Sequence, residues 1–348
     1  DVYKRQGVNT SKLYRMEQFV DNFPNEEAHL TGEEIHRRLD EIEQIHAIYS
    51  PARLGLAAAI ACCAFTFLLG GGPIEMMLAF IAAGIGNLIR TKLIKHHFTL
   101  FLNIAVSISA SCFIYAALLK IAEMAFNVPS IHEAGYICSM LFIIPGFPFI
   151  TSGIDLAKLD LRSGLERLAY AIIIVMVATM FAWIMALLLQ LKPMDFEDLN
   201  LTPVLHLILR LIMSFFGVFG FSIMFNSPAS MAATAALIGA IANSLRLELV
   251  DLTGMPAPAA AFAGALTAGL LASFIKENNG YPRISLTVPS IVIMVPGLYL
   301  YRAIYNFGIM ALSDAVSWFA SAIMIIIALP LGLIFARILT DKTFRYCT

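Results

Sequence analysis

Asp155, Asp160 and Arg167 follow a long apolar run that is itself interrupted by Pro145-Gly146 and Pro148. Each of these residue types can do chemistry in a membrane. A carboxylate whose charge is disfavoured by burial takes up and releases protons near neutral pH. A guanidinium holds a carboxylate through a planar fork of donors. The competing reading is a loop of mixed charge, in which both acids pair with Lys158, Arg162 or Arg167. A proline within a helix removes a donor and frees the carbonyl one turn earlier. In lipid, such a break persists where other helices or an aqueous cavity satisfy the freed groups. Those amides and carbonyls suit a zwitterion without any charged side chain. Pro145, Gly146, Pro148 and Gly153 form one such hinge set, and Pro296 and Gly297 form a second.

Further polar groups fall in or beside apolar runs. Glu75 reads as an interfacial acid and Arg210 as an arginine reaching back to a membrane face or lining a path. Asn226, Asn243, Ser244 and Tyr299 lie near the second hinge in the repeat described below, whereas Tyr301 and Arg302 read as interface anchors. The seven histidines do not cluster, with His96-His97 in a loop and His206 near a span boundary. The five cysteines show no metal or disulfide spacing. No H-E-x-x-H, Walker A or G-x-S-x-G pattern is present, which argues against a zinc protease, an ATP-driven pump and a serine hydrolase. No cofactor is called for.

The elements that position these residues are membrane helices. Of 348 residues, 59% are hydrophobic and 14% charged, and mean hydropathy is +0.80. A soluble domain has about 25% charged residues. The net charge of −1 suggests no nucleic-acid partner. The sequence predicts ten spans, roughly 53–69, 73–89, 99–119, 133–152, 168–191, 204–225, 228–246, 256–275, 284–301 and 315–337. Before them, residues 7–30 are polar and irregular. Thr31 with Glu34 then forms a capping box, opening an amphipathic helix of about four turns that ends near Tyr49-Ser50-Pro51. Asp1 to Gln6 matches no pattern and reads as a non-native scar ahead of a truncated N-terminus. With the N-terminal segment inside, the inner loops carry twelve Lys and Arg, among them Arg53, Arg90 and Lys95, and the outer loops carry four, including Arg246. That positive-inside bias places both termini in the cytosol.

The chain contains its own layout twice. Pro73 precedes Gly84, Asn87 and Arg90 by 11, 14 and 17 positions, and Pro228 precedes Gly239, Asn243 and Arg246 by 11, 15 and 18. Ile144-Pro145-Gly146 lies 151 positions before Val295-Pro296-Gly297. The division is a cytosolic segment over 7–52, a first five-span module over 53–198 and a second over 199–348. Five spans is an odd number, so the second module must enter the membrane inverted. Inverted repeats with broken helices at matching positions recur in secondary transporters.

Over residues 31 to the C-terminus, the chain resembles the threonine/serine exporter family. The resemblance rests on T-G-E-E-I-H-R-R-L-D-E-I-E-Q-I, Gly70-Gly71-Gly72, the Pro-Gly fourth span, and Gly153, Asp155-Leu156 and Leu161-x-Ser163-Gly164-Leu165-x-Arg167-Leu168. In the second half it rests on Val295-Pro296-Gly297-x-Tyr299. It implies a fused ten-span carrier in the bacterial cytoplasmic membrane, exporting threonine and serine by the proton motive force, and it adds Ser163 and Gly164 to the pathway residues. A two-protein form of the family implies dicarboxylate export as the alternative. A passive channel on the same scaffold, and assembly into a homo-oligomer, stay open.

Overall fold

The computed structural model describes residues 8–24 and 29–346, so the reading of Asp1 to Gln6 as a scar lies outside the described residues. No strand occurs among the described residues. Two short helices come first, α1 (Thr10–Asn22) and α2 (Gly32–Glu43). The long helices of the first half are α3 (Pro51–Leu68), α4 (Pro73–Lys95) and α5 (Leu100–Phe126). The bent span follows as a 3-10 turn, α6 (Gly135–Ser139), a second 3-10 turn and α7 (Gly146–Ala157), and then α8 (Leu161–Leu189). The second half comprises α9 (Pro203–Met224), α10 (Ala229–Thr253), α11 (Ala257–Asn279), α12 (Arg283–Ile291), a 3-10 turn, α13 (Gly297–Gly308) and α14 (Leu312–Thr340), with a short α15 (Lys342–Tyr346) at the end.

Eight helices are long and apolar enough to cross a membrane, and the two bent pairs bring the number to as many as ten. These runs become helices because in lipid every backbone donor and acceptor must be satisfied within its own segment. Proline at the first helical position, as in Pro51, Pro73 and Pro203, starts several of them without losing a bond. The two leading helices, α3 and α9, pack tightly. A methyl group on Gly220 would lie 2.5 Å from the Ala57 carbonyl, an approach only glycine permits.

Several sequence expectations shift. Residues 10–22, read as irregular, form α1. Asn9 caps it by accepting the Lys12 amide at 3.1 Å, and Thr10 docks on the distant turn after α9. Tertiary anchoring has overridden a weak local pattern. The Thr31–Glu34 capping box is present, but α2 stops at Glu43. Beyond it the chain bends so that the Ile48 amide can reach the Asn226 side chain at 2.8 Å. Arg90 and Arg246, counted as loop charges, sit inside helices that run on to Lys95 and Thr253.

Candidate functional site

The two proline-glycine breaks meet at the centre of the bundle. Pro145 (φ −81°, ψ 61°) and Pro296 (φ −81°, ψ 56°) adopt the same inverse γ-turn conformation. Each turn is closed by a 2.8 Å bond, Gly146 N–H to the Ile144 carbonyl and Gly297 N–H to the Val295 carbonyl. The bends are 55° and 42°. A methyl group on Gly146 would meet Val292 and Val295 at 2.5 and 3.3 Å, and one on Gly297 would meet Leu141 and Ile144 at 3.0 and 3.2 Å. Leu141 and Val292, Ile144 and Val295, and Gly146 and Gly297 are all 151 positions apart. The contact is the same when read from either half.

That register extends over the following helices. Both α7 and α13 have 12 residues, and both α8 and α14 have 29. The connecting turns place Leu159 (φ 62°) and Met310 (φ 63°) in the left-handed region. The turns after α3 and α9 match with a different spacing. Gly71 N–H bonds the Thr66 carbonyl at 2.8 Å, and Ser227 N–H bonds the Ser222 carbonyl at 3.1 Å, 156 positions on. Phe65 and Phe221 share this spacing and touch edge to face, with centroids 6.3 Å apart.

Between the breaks lies a cavity of about 10 Å³, lined by Phe65, Leu141, Ile144 and Gly146 from one half and Phe221, Val292, Val295 and Gly297 from the other. It offers room for about one water. The wall of a pathway expected at the breaks is therefore closed and apolar in this conformation.

Other predicted residues gather elsewhere. Asp155 is paired with Arg167 at 2.6 Å, and the arginine is half-exposed. Asp160 caps α8, accepting the Ser163 amide at 3.2 Å. The Ser163 hydroxyl and amide hold the Asp160 carboxyl below the usual carboxylate value. Gly164 lies against Leu156, Gly153 against Pro330, and Pro148 within the first turn of α7. Tyr299 packs edge to face on Trp318. Asn226, in the left-handed region at φ 60°, donates to Asn9 at 2.9 Å and accepts from Ile48. It holds the N-terminal segment to the bundle. Asn243 donates to Ser214 at 2.8 Å, while its Oδ1, the Ser244 hydroxyl and Arg246 Nε are buried without a partner. The predicted residues thus form a central contact, a surface ion pair and a docking turn, joined in no single pocket.

Sequence reasoning named several residues at the far end of the bundle but not how they pair. There Tyr136 and Tyr301 are fully buried, with their hydroxyls 2.5 Å apart. Glu75 is buried against His132 at 2.7 Å. Arg210 is buried between Glu248, at 2.7 Å, and Asp251, so it does not reach out to solvent. Away from that end, further along α4, Arg90 donates to the Phe142 carbonyl, freed at the first break, at 3.3 Å. Residues 191–202 cross the Glu75 end. Arg302 binds Asp195 at 2.8 Å, and the Phe196 ring stands within van der Waals reach of Gly71. The signal for Arg90 and Arg246 was present in their repeat spacing, whereas nothing local marks the Glu75–His132 or Tyr136–Tyr301 pairs.

Comparison with known proteins decides the family. The family model ThrE, described as a threonine/serine exporter, matches residues 1–190, and ThrE_2, described as Threonine/Serine exporter, ThrE, matches residues 210–339. The chain belongs to the threonine/serine exporter family. Among curated relatives, the Escherichia coli protein named "Probable succinate transporter subunit YjjP" is 28% identical over 153 residues, 44% of this chain and 57% of that protein. Its namesake from Klebsiella aerogenes is 25% identical over 45% of this chain and 58% of that protein. The Debaryomyces hansenii pheromone-regulated membrane protein 10 is 25% identical over 51% of this chain and 18% of that protein. The chain thus spans little more than half the length of the two bacterial relatives and less than a fifth of the yeast one. No solved structure matches it. Family and helices together make this exporter-family chain a multi-pass membrane protein.

Proposed function

We propose that the chain is a proton-driven secondary transporter that exports threonine and serine across the bacterial cytoplasmic membrane, with both termini in the cytosol. The observation that carries this reading is the central contact, where two equivalent breaks face each other through equivalent residues. Such an arrangement fits two inverted five-span halves, which can rock about one shared centre and expose it to each side in turn. A gap for about one water is far smaller than an amino acid, so the conformation corresponds to an occluded stage of that cycle.

In this reading Pro145, Gly146, Pro148 and Gly153, with Pro296 and Gly297, are the hinges. Asp155, Asp160, Ser163, Gly164 and Arg167 line the cytosolic mouth, where an exported solute would load. A zwitterion needs donors for its carboxylate and an acceptor for its ammonium. Arg246 and Asn243, three positions apart on one face of α10, offer a guanidinium and a buried amide oxygen without a present partner. Tyr299 lies close enough to Arg246 to interact with it electrostatically.

A second reading, export of a dicarboxylate such as succinate, is favoured by the printed name of the bacterial relatives. A dicarboxylate would use the arginine and leave the amide oxygen idle. The test is accumulation of labelled threonine, serine and succinate in proteoliposomes under an imposed pH gradient. Gradient-driven movement of the two amino acids is the expected result. Movement of succinate alone would select the second reading, and equilibration without accumulation would identify a channel.

A further inference from the structure

We infer that Glu75 and His132 form the proton-binding site of the transport cycle, at the end of the bundle away from the N-terminal helices. The inference rests on the proton-driven reading above and assigns the coupling to two residues.

Ionisable side chains buried in a membrane are costly and are functional candidates by default. Among the described Asp, Glu, Lys and Arg residues, only Glu75 and Arg210 are buried, at 4% and 8% exposure. The charge of Arg210 is answered by Glu248 and Asp251. Glu75 is answered instead by an imidazole, the side chain that titrates nearest neutrality. Its Oε2 accepts the Gly72 amide at 3.0 Å, and its Oε1 lies 2.7 Å from His132 Nδ1. With Nδ1–H donated to the carboxylate, Nε2 is the position that gains and loses the proton. The loaded pair is neutral overall and the empty pair carries one negative charge.

The pair also sits where its charge can act on the fold. Glu75 belongs to the first turn of α4. His132 belongs to the 3-10 turn Ser130–Ala134, which opens the bent span, and its carbonyl accepts the Tyr115 hydroxyl of α5 at 2.7 Å. The other end of that arm is the Pro145-Gly146 break. Loading and unloading the proton therefore tightens and loosens the tie between α4 and one arm of a hinge. Residues 191–202 cover the site. Leu199 stands beside Gly72, and the Lys192 amide donates to Glu133 at 3.1 Å. Lifting that cover would open the site to the side opposite the loading mouth, where a proton entering against an exported solute must arrive.

The other titratable and charged groups around the pair are few. They are Tyr115 and the Lys120–Glu123 ion pair on α5, Glu133 beside His132, Cys138 on α6, Lys192 and Asp195 on the covering segment, and Arg302 on α13. Glu123 is already paired with Lys120, and Arg302 with Asp195.

The experiment compares wild type, Glu75→Gln and His132→Gln in proteoliposomes. It reads substrate exchange without a gradient, accumulation driven by a pH gradient, and the substrate-evoked pH signal. Both variants are expected to keep exchange and to lose accumulation and the pH signal. Wild-type accumulation retained in either variant overturns the inference and leaves the proton-driven reading standing. Loss of exchange together with accumulation, at an unchanged melting temperature, also overturns it, because the pair would then serve shape alone. Failure of wild type to accumulate any of the three solutes rejects the reading itself. If a variant does not fold, diethyl pyrocarbonate treatment of the wild type carries the test. Modification of His132, read by mass spectrometry, must abolish accumulation and spare exchange, and modification without effect overturns the inference.

Discussion

The hydroxyls of Tyr136 and Tyr301, 165 positions apart in the chain, lie 2.5 Å from one another inside the bundle, and neither side chain is exposed. Their rings also meet edge to face at 5.8 Å. One half of the chain is thereby latched to the other at the end covered by residues 191–202.

Removing one hydroxyl from this latch leaves the other buried and unpaired, which costs about 1–3 kcal/mol, whereas removing both can be nearly neutral. Tyr136→Phe and Tyr301→Phe are therefore each expected to lower the melting temperature in detergent. The double variant should recover most of the loss. A double variant that loses the sum of the two singles would show that the hydroxyls do not act as a pair.

Gly146→Ala would place a methyl 2.5 Å from Val292 Cγ2. Because the obstacle is a side chain, Gly146→Ala with Val292→Ala should regain stability and transport that Gly146→Ala alone loses. Gly297→Ala, whose nearest obstacle is Leu141 at 3.0 Å, should be the milder single change. Thermal melting and solute flux together check both expectations.

Asp155 is paired with a half-exposed arginine at the surface, and exposed pairs contribute little to stability. Asp155→Asn is expected to keep the pH dependence of export. A flattened pH profile would instead make this carboxylate a proton carrier.

Asp160 has its carboxyl lowered by the Ser163 hydroxyl and amide. A group depressed in the folded state contributes stability above its unfolded value, and the contribution is lost as pH falls through the folded value. The stability gap between wild type and Asp160→Asn should hold at neutral pH and close in acid below about pH 3.9. Melting temperatures across that range provide the measurement.

Asn226 joins the N-terminal segment to the turn after α9 from a left-handed backbone position. Asn226→Ala removes both side-chain bonds and strains that turn. Limited proteolysis within the first 50 residues should become faster, while Asn226→Gly should free the segment with less loss of overall stability.

The breaks were legible in the sequence because proline and glycine leave few alternatives to a broken helix, and their 151-position spacing carried over to α7, α8, α13 and α14. The matching of α4 with α10 was seen one residue out of register. Pro73 is the first helical residue of α4, whereas Pro228 is the cap before α10. Counting from the helix starts instead puts Asn87 with Asn243 and Arg90 with Arg246. Pairs such as Glu75 with His132 depend on which faces of separate helices meet, and helical periodicity in a uniformly apolar run does not encode that. Helix α1 was missed because its anchors, Phe225 and Ser227, lie more than 200 positions away.

Residues 191–202 both connect α8 to α9 and rest on the Gly70, Gly71 and Gly72 turn. At the opposite end, the Asn226 turn is covered in the same way by Asn9, Ile48 and Tyr49. Each of these two turns therefore has a stopper made of chain outside the membrane-length helices. The link between α8 and α9 is itself one of them. Cutting the chain there would turn a stopper fixed at both ends into two loose tails, and opening at that face would then depend on how those tails settle as well as on the helices.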